Sequence, residues 1–401
     1  MLRVSHVAAV LVAGLLLGGC GSVAGGQPSM PAAESASSSS PSRTLLRFSE
    51  IHMETPQVGW ATAGAVVYRT TDGGDQWVRV FAPPASASLS STAVASSYPS
   101  SDVGVVAVAI SEGPNLHVRV YETADGGARW SAHTVAIPSS VGQLLTDGTM
   151  QVQFVSPSRG WLLLVSPDNA GSTQGALLAT SDGGQQWQLL QRPSVTGTPL
   201  FEDVTAVAFA ANNWGLATEN TVVFDRANVL VTTNGGITWS SIRLALPPTA
   251  AETEAVEGAP SLGPDGIALI PVTLEVTPKT QDLLFYMTTN QGATWTSNSW
   301  PQPLPLQTVT SPVYSLMPEN VLVLGDRWLL VPNGRTTEEY ALVFTDPTTL
   351  RWRLVSRIPM SVVAAATVLP SGQGWAVNGV HMYRMSRLGL SWSPWVPTLA
   401  P

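Results

Sequence analysis

The sequence predicts an all-β chain, a seven-bladed β-propeller of four-stranded antiparallel blades over residues 45–401. Three observations predict it: an eight-residue pattern repeating at a near-constant period, a second Trp-bearing element upstream of most copies, and no amphipathic helical period between them. The pattern is Thr-x-Asp-x-Gly-x-x-Trp. It reads TTDGGDQW at Thr70–Trp77, TADGGARW at Thr123–Trp130 and TSDGGQQW at Thr180–Trp187. With Asn in place of Asp it reads TTNGGITW at Thr232–Trp239 and TTNQGATW at Thr288–Trp295, and two decayed copies end at Trp352 and Trp392. Successive terminal Trp residues stand 53, 57, 52, 56, 57 and 40 positions apart. Periods of this size belong to stacked supersecondary units, none of which buries both faces alone.

Each copy reads as a hairpin. A short β-rich run such as Val66–Arg69 leads in, a tight turn follows, and a second run opens on the Trp. Asp-Gly and Asn-Gly supply the positive φ such turns require. The defining positions are Thr70, Asp72, Gly74 and Trp77; Thr123, Asp125, Gly127 and Trp130; Thr180, Asp182, Gly184 and Trp187; Thr232, Asn234, Gly236 and Trp239; and Thr288, Asn290, Gly292 and Trp295. Their expected role is structural: the Thr hydroxyl and the Asp or Asn side chain bond the turn's own amides. The Trp, Trp187 for example, is expected to be buried between hairpin and neighbouring blade.

Upstream, Gly59-Trp60-Ala61, Gly160-Trp161-Leu162 and Gly374-Trp375-Ala376 recur in apolar runs, and Trp214-Gly215-Leu216 reverses the order. Val103–Ala107, Gly266–Ile270 and Val321–Gly325 take the same place without Trp. A further strand precedes each: Leu45–Ile51, Thr92–Ser96, Met150–Val155, Val204–Phe209, Pro312–Leu316 and Val362–Leu369, with a less regular version near Ala255–Leu262. That makes about four strands per unit. Eleven of the fourteen Trp fall on the two recurring positions, so the Trp richness is mostly architectural. Solenoid packing of the same units is the other arrangement, and the sequence leaves open how a ring would be closed.

The eight-residue pattern resembles the Asp-box, or bacterial neuraminidase repeat. Paired with an upstream Gly-Trp-Ala it is similar to propellers of the photosystem II stability and assembly factor type, and sortilin-type propellers share the box. The resemblance spans roughly Leu45 to Val396. The sixth copy keeps little beyond Asp346 and Trp352, and the seventh has Met385 and Arg387 where Thr and Asp belong. The resemblance implies boxes at peripheral turns, away from any chemistry. In sialidases the chemistry uses three arginines, a Tyr–Glu pair and an acid at the channel face. The early Phe/Tyr-Arg-Ile-Pro element of that family is missing here; Arg357-Ile358-Pro359 follows Ser356 and lies in the sixth unit.

Residues 1–19 read as a secretion signal: Arg3, then the apolar run Val7–Leu17, too short to span a bilayer. Leu17-Gly18-Gly19-Cys20 resembles the bacterial lipobox, which implies lipidation at Cys20, the single cysteine of the chain. Residues 20–44, with Ser37–Ser40 and scarcely a large apolar side chain, read as a disordered tether. Such a coil spans on the order of 25–30 Å. The expected location is therefore the extracytoplasmic face of a cell membrane, lipid-anchored.

Nineteen basic and 27 acidic residues give a net charge of −8 without a basic cluster, which argues against nucleic acid. The five histidines are scattered, so no metal and no cofactor is expected. A glycosidase needs two carboxylates about 5–10 Å apart across a cleft. Glu50 and Asp203 are the carboxylates of the presumed inner strands, more readily read as solvating the channel rim. The reading is a monomeric, non-catalytic scaffold for protein or glycan binding, its long inter-blade segments Pro83–Ser100, Arg192–Glu202, Leu246–Gly263 and Trp300–Ser311 serving as binding loops. A protein partner in a membrane complex is the expected ligand and a glycan the other candidate. The alternative function is an extracytoplasmic glycan-active hydrolase, sialidase-like or another glycosidase, using the channel face.

Overall fold

The computed structural model describes residues 46–400 except 85–88, 113–114, 138–147, 168–172, 191–200, 203, 220–222, 225, 247–253, 264–265, 278–279, 300–306, 309–320, 325–327, 333–338, 347–350, 361 and 386–390. Backbone contacts divide the chain into Met1–Thr44 and Leu45–Pro401, and the described residues belong to the second unit. Cys20, the tether and Asp203 lie outside the described residues.

The described secondary structure is almost wholly β, in antiparallel meanders. The first sheet comprises Glu50–Met53, Gly59–Ala63, Val66–Thr70 and Gln76–Phe81, in that spatial order. Glu50 pairs with Thr62, Gly59 with Thr70, and Tyr68 with Arg79. Gly59 is required where it stands because a β-carbon there would lie 2.9 Å from the His52 carbonyl oxygen; at Gly160 and Gly215 it would strike the rings of Phe154 and Phe209.

The expected seven-bladed propeller of four-stranded blades is not what forms among the described residues. Six sheets are four-stranded meanders, two of them carrying one added strand, and the fifth repeat departs from the plan. Its sheet has seven strands. Val223–Phe224, from within the preceding repeat, pairs with Glu254–Ala255, and Gln307–Thr308 pairs with Thr280–Gln281. The first strand is itself divided into Glu254–Glu257 and Ser261–Leu262, with Pro260, which has no N–H for a ladder, in the gap. The long central strands Ala268–Thr277 and Thr280–Thr288 offer extra edge for the short additions.

The sixth unit is also corrected. Val321–Gly325 was expected as its second strand, yet Leu322–Leu324 is the first, pairing with Trp328–Pro332 as the second. Trp328 opens that second strand as Trp60 and Trp161 sit near the start of theirs. The expected strand at Pro312–Leu316 lies outside the described residues.

Apolar clusters join successive sheets, including the last to the first through Phe48, Trp77, Trp375 and Trp395. The ring is closed by the C-terminal strand Thr398–Leu399, which pairs in parallel with Gln76–Trp77 of the first sheet. Thr398 N–H donates to the Asp75 carbonyl at 3.1 Å, its hydroxyl to the same oxygen at 2.9 Å, and Ala400 N–H to the Trp77 carbonyl at 2.8 Å. Deleting residues 398–401 is expected to cost about 2–4 kcal/mol in urea unfolding, from three lost hydrogen bonds.

Candidate functional site

The five complete boxes share one geometry. The Thr hydroxyl donates to the Asp or Asn Oδ1 at 2.8–3.0 Å and accepts the N–H of the second Gly position at 2.9–3.0 Å. The same Oδ1 accepts the N–H four residues on, from Gln76, Arg129, Gln186, Thr238 and Thr294, at 2.9–3.0 Å. Where Asn replaces Asp, its amide donates to the hydroxyl of Thr238 or Thr294, so the neutral box recovers a bond the carboxylate cannot make. Gly74 has φ 95°, the left-handed region that glycine alone enters without strain.

These bonds consume the carboxylates. N–H groups hold Asp125 and Asp182 below the usual range, chiefly from Arg129 and Gln186 respectively. At Asp72 burial pulls upward, but the Gln76 N–H and Thr70 hydroxyl outweigh it. Each box also docks on the loop between the first two strands of its own sheet: Gly73 N–H to the Gln57 carbonyl, Gly183 to Ser158 and Gly235 to Asn213, all at 2.8 Å. The box residues thus lie one set per repeat around one end of the ring, and the structure brings no two sets together. Thr180→Val is expected to destabilise by about 1–2 kcal/mol in denaturant titration, since the buried Gly184 N–H loses its acceptor.

Two kinds of Trp separate. Trp60, Trp161, Trp214 and Trp375 are fully buried, as is Trp77 among the box tryptophans. Trp187, expected to be buried, is half-buried, with Trp295 and Trp239 like it. In four boxes the indole N–H donates to the box's own Gly carbonyl at 2.8–3.1 Å, which turns the ring along the hairpin. Trp130 differs, its buried N–H having no such partner. Three upstream indoles instead reach the next sheet, Trp60 to the Ser100 carbonyl at 3.3 Å, Trp161 to the Gly235 carbonyl at 2.9 Å and Trp375 to the Gly73 carbonyl at 3.3 Å, while the buried Trp214 N–H has no partner among the described residues.

At the inner wall, side chains staple first strand to first strand. Gln151 exchanges two bonds with the backbone of Val207, at 2.8 and 3.1 Å, and Gln153 two with Phe209, at 3.1 and 2.8 Å. Both amides act as a surrogate strand between sheets whose backbones are too far apart to pair. Thr367 donates to the Ile51 carbonyl at 3.0 Å and accepts from Met53 N–H, and Ser97 accepts from Phe154 N–H at 2.9 Å. Glu50 belongs to this set. Its carboxylate accepts from the Ser96 hydroxyl of the next sheet and from Thr62 at 3.3 Å. Burial pushes Glu50 up, with the two hydroxyls opposing.

A second raised carboxyl, absent from the sequence expectations, is Glu257. It is 5% exposed between the fourth and fifth sheets, with Glu219 beside it at 7%. Its Oε1 accepts the Asn228 N–H at 2.7 Å, while its buried Oε2 has no partner. Burial pushes Glu257 up to about 8, the Asn228 N–H opposes this, and the Glu219 charge adds to it. Tyr286, whose hydroxyl donates to the Ala245 carbonyl at 2.8 Å, is also pushed up by burial and by Glu257. A signal was available: in a chain with 11% charged residues, a Glu inside the short strand EAVE is uncommon. Among the described residues no three His, Cys, Asp or Glu side chains form a metal-binding group.

No family model matches the sequence, and no curated protein matches it. Among solved structures the chain is similar to the GH74 enzyme of Niastella koreensis, at 12% identity and TM-score 0.52 over 88% of this chain and 53% of that one. It is similar to the GH74 xyloglucanase of Xanthomonas campestris, at 14% identity and TM-score 0.51 over 89% and 56%. The NanB sialidase of Streptococcus pneumoniae aligns at 10% identity and TM-score 0.38 over 73% and 65%. The chain spans little more than half the length of the two GH74 proteins. At these identities the GH74 likenesses show a shared β-propeller fold.

Proposed function

We propose that the chain is a lipid-anchored, extracytoplasmic propeller that binds a polymeric ligand, glycan ahead of protein, without cleaving it. The observation that carries this reading is the use made of the carboxyls. Glu50 is spent on a staple between sheets, Asp72, Asp125 and Asp182 on turns, and Glu257 is sealed in a seam. A hydrolase needs an acid and a base open to the same substrate. Glycan stands ahead of protein because the GH74 proteins that share the fold include a xyloglucanase; fold alone does not transfer function. The binding face is the end of the ring opposite the boxes, where successive sheets are connected. A stiff scaffold presenting variable connections is the usual arrangement for recognition.

The anchor places the binder. Lipid at Cys20 and the tether of residues 21–44 hold the domain near the membrane and raise its effective concentration towards ligands there. Cys20→Ser is expected to abolish lipid labelling and release the protein from the membrane fraction. A wild-type protein recovered wholly soluble with an unmodified N-terminus would remove the anchor from this reading.

The hydrolase is the second reading, and what favours it is the likeness to two GH74 proteins, one of them a xyloglucanase. The test is turnover of xyloglucan and sialosides by the purified full chain. Binding without product, weakened by substitutions within 192–202 or 300–311 at unchanged melting temperature, supports the binder. Product formation by the purified full chain would establish the hydrolase instead.

A further inference from the structure

A cavity of about 360 Å³ opens at the box end of the ring, between the first and last sheets. Its walls come from both: Asp72 from the first box, and Gln373, Trp375, Arg384, Ser391 and Ser393 from the seventh repeat. The seventh repeat has Met385 and Arg387 where the box sequence has Thr and Asp. Beside it the first box is complete. A degenerate box sequence against an intact box distinguishes this seam from those joining the first five repeats.

The lining selects by charge. Arg384 Nη1 donates to Asp75 Oδ1 at 3.0 Å and faces the Gly73 carbonyl at 3.5 Å. Asp72 is ionised, held low by the Gln76 N–H and Thr70 hydroxyl against the pull of burial. The Arg384 guanidinium is already paired with Asp75, and Asp72 adds a carboxylate to the lining, which together disfavour a phosphate or carboxylate guest. The remaining groups are two hydroxyls, Ser391 and Ser393, and the Gln373 amide, which both donate and accept. Trp375, held by its indole bond to the Gly73 carbonyl at 3.3 Å, is 1% exposed, so it backs the cavity and offers a guest no open ring face. Neutral groups that both donate and accept, two hydroxyls and an amide, match the hydroxyls of a polyhydroxylated guest. The volume falls at the low end of the roughly 300–1,000 Å³ range of small-molecule sites.

We propose that this cavity is a binding site for a neutral mono- or disaccharide, separate from the loop-bearing end of the ring. It stands apart from the reading of that end, since either site can bind without the other.

The test is ligand-observed NMR on the full chain in detergent micelles, with glucose, xylose, maltose, glucuronate and inorganic phosphate as probes. Saturation transfer to neutral sugars, exceeding that to glucuronate, is expected, with dissociation constants on the order of millimolar for so small a contact. Ser391→Trp fills the cavity and is expected to weaken sugar binding by about tenfold or more. Gln373→Ala, a gentler change, should weaken it by several-fold at unchanged melting temperature, and it carries the test should Ser391→Trp fail to fold. Binding of a long glycan at the loop end should persist in both variants, which separates this site from that one. Undiminished sugar binding in Gln373→Ala and in folded Ser391→Trp would overturn the proposal. So would preference for phosphate or glucuronate, or no transfer to any sugar.

Discussion

Trp161→Ala is expected to destabilise the ring by about 3–5 kcal/mol, the cost of truncating a large, fully packed aromatic. Three contacts set the size of the effect. The ring lies 4.0 Å from that of Phe209 with an interplanar angle of 3°, stacking the third sheet on the fourth. Its indole N–H donates to the Gly235 carbonyl at 2.9 Å, inside the box of the neighbouring sheet, so removal also leaves a buried carbonyl without its donor. Arg159 covers the outer face, 5.6 Å from the ring centroid. Trp187→Ala is expected to cost less, because that ring is half-buried and its indole bond stays within its own turn. Urea titration of both variants measures the difference as a shift in midpoint at constant slope. Equal losses would mean that the box tryptophans hold the seams as firmly as the upstream ones.

Stability is expected to fall as pH rises, and Glu257 is the cause. In the unfolded chain its carboxyl titrates near 4.5, and in the folded protein near 8. The folded state therefore binds the extra proton between these values. The stabilisation is complete below about 4.5 and is lost as pH climbs through about 8. Fully expressed, that difference is worth about 5 kcal/mol at roughly 1.4 kcal/mol per pH unit. Glu257→Gln keeps an acceptor for the Asn228 N–H and removes the titration. Its expected signature is a flattened profile: near-parity with wild type at pH 4, and greater stability at pH 9. A wild-type profile that rises from pH 5 to pH 8, or a variant that retains the fall, would contradict the assignment. Glu219 lies close enough to be tested alongside, since its charge contributes to holding Glu257 protonated.

What the sequence made legible was local. The box is closed by bonds spanning two to four residues, such as those among Thr180, Asp182, Gly184 and Gln186, which lie within reach of a local pattern. The period placed the repeats for the same reason, each meander being built from neighbours in the chain. The failures all come from pairing at longer range. Val223–Phe224 joins the sheet of the following repeat, a pairing no local pattern announces. In the sixth unit the box had decayed, and without it as a marker Val321–Gly325 was set one strand too late. Trp187 and Trp161 look alike as sequence, but only the second reaches across a seam. Glu50 was visible as an inner-strand carboxylate, yet its role depends on Ser96, a residue of the next sheet. Glu257 was overlooked because its environment is assembled by Asn228, Glu219 and Tyr286 from three other strands.

The central claim is that this propeller holds its ligand and leaves it intact. It is tested most directly by a glycan array probed with the full chain in detergent, followed by mass analysis of the captured glycans after prolonged incubation. The account predicts retained glycans recovered at their original mass, with capture reduced by substitutions within 192–202 or 300–311 and not by Asp182→Ala once stability is matched. Recovery of shortened glycans, or an array on which nothing is retained, would contradict it.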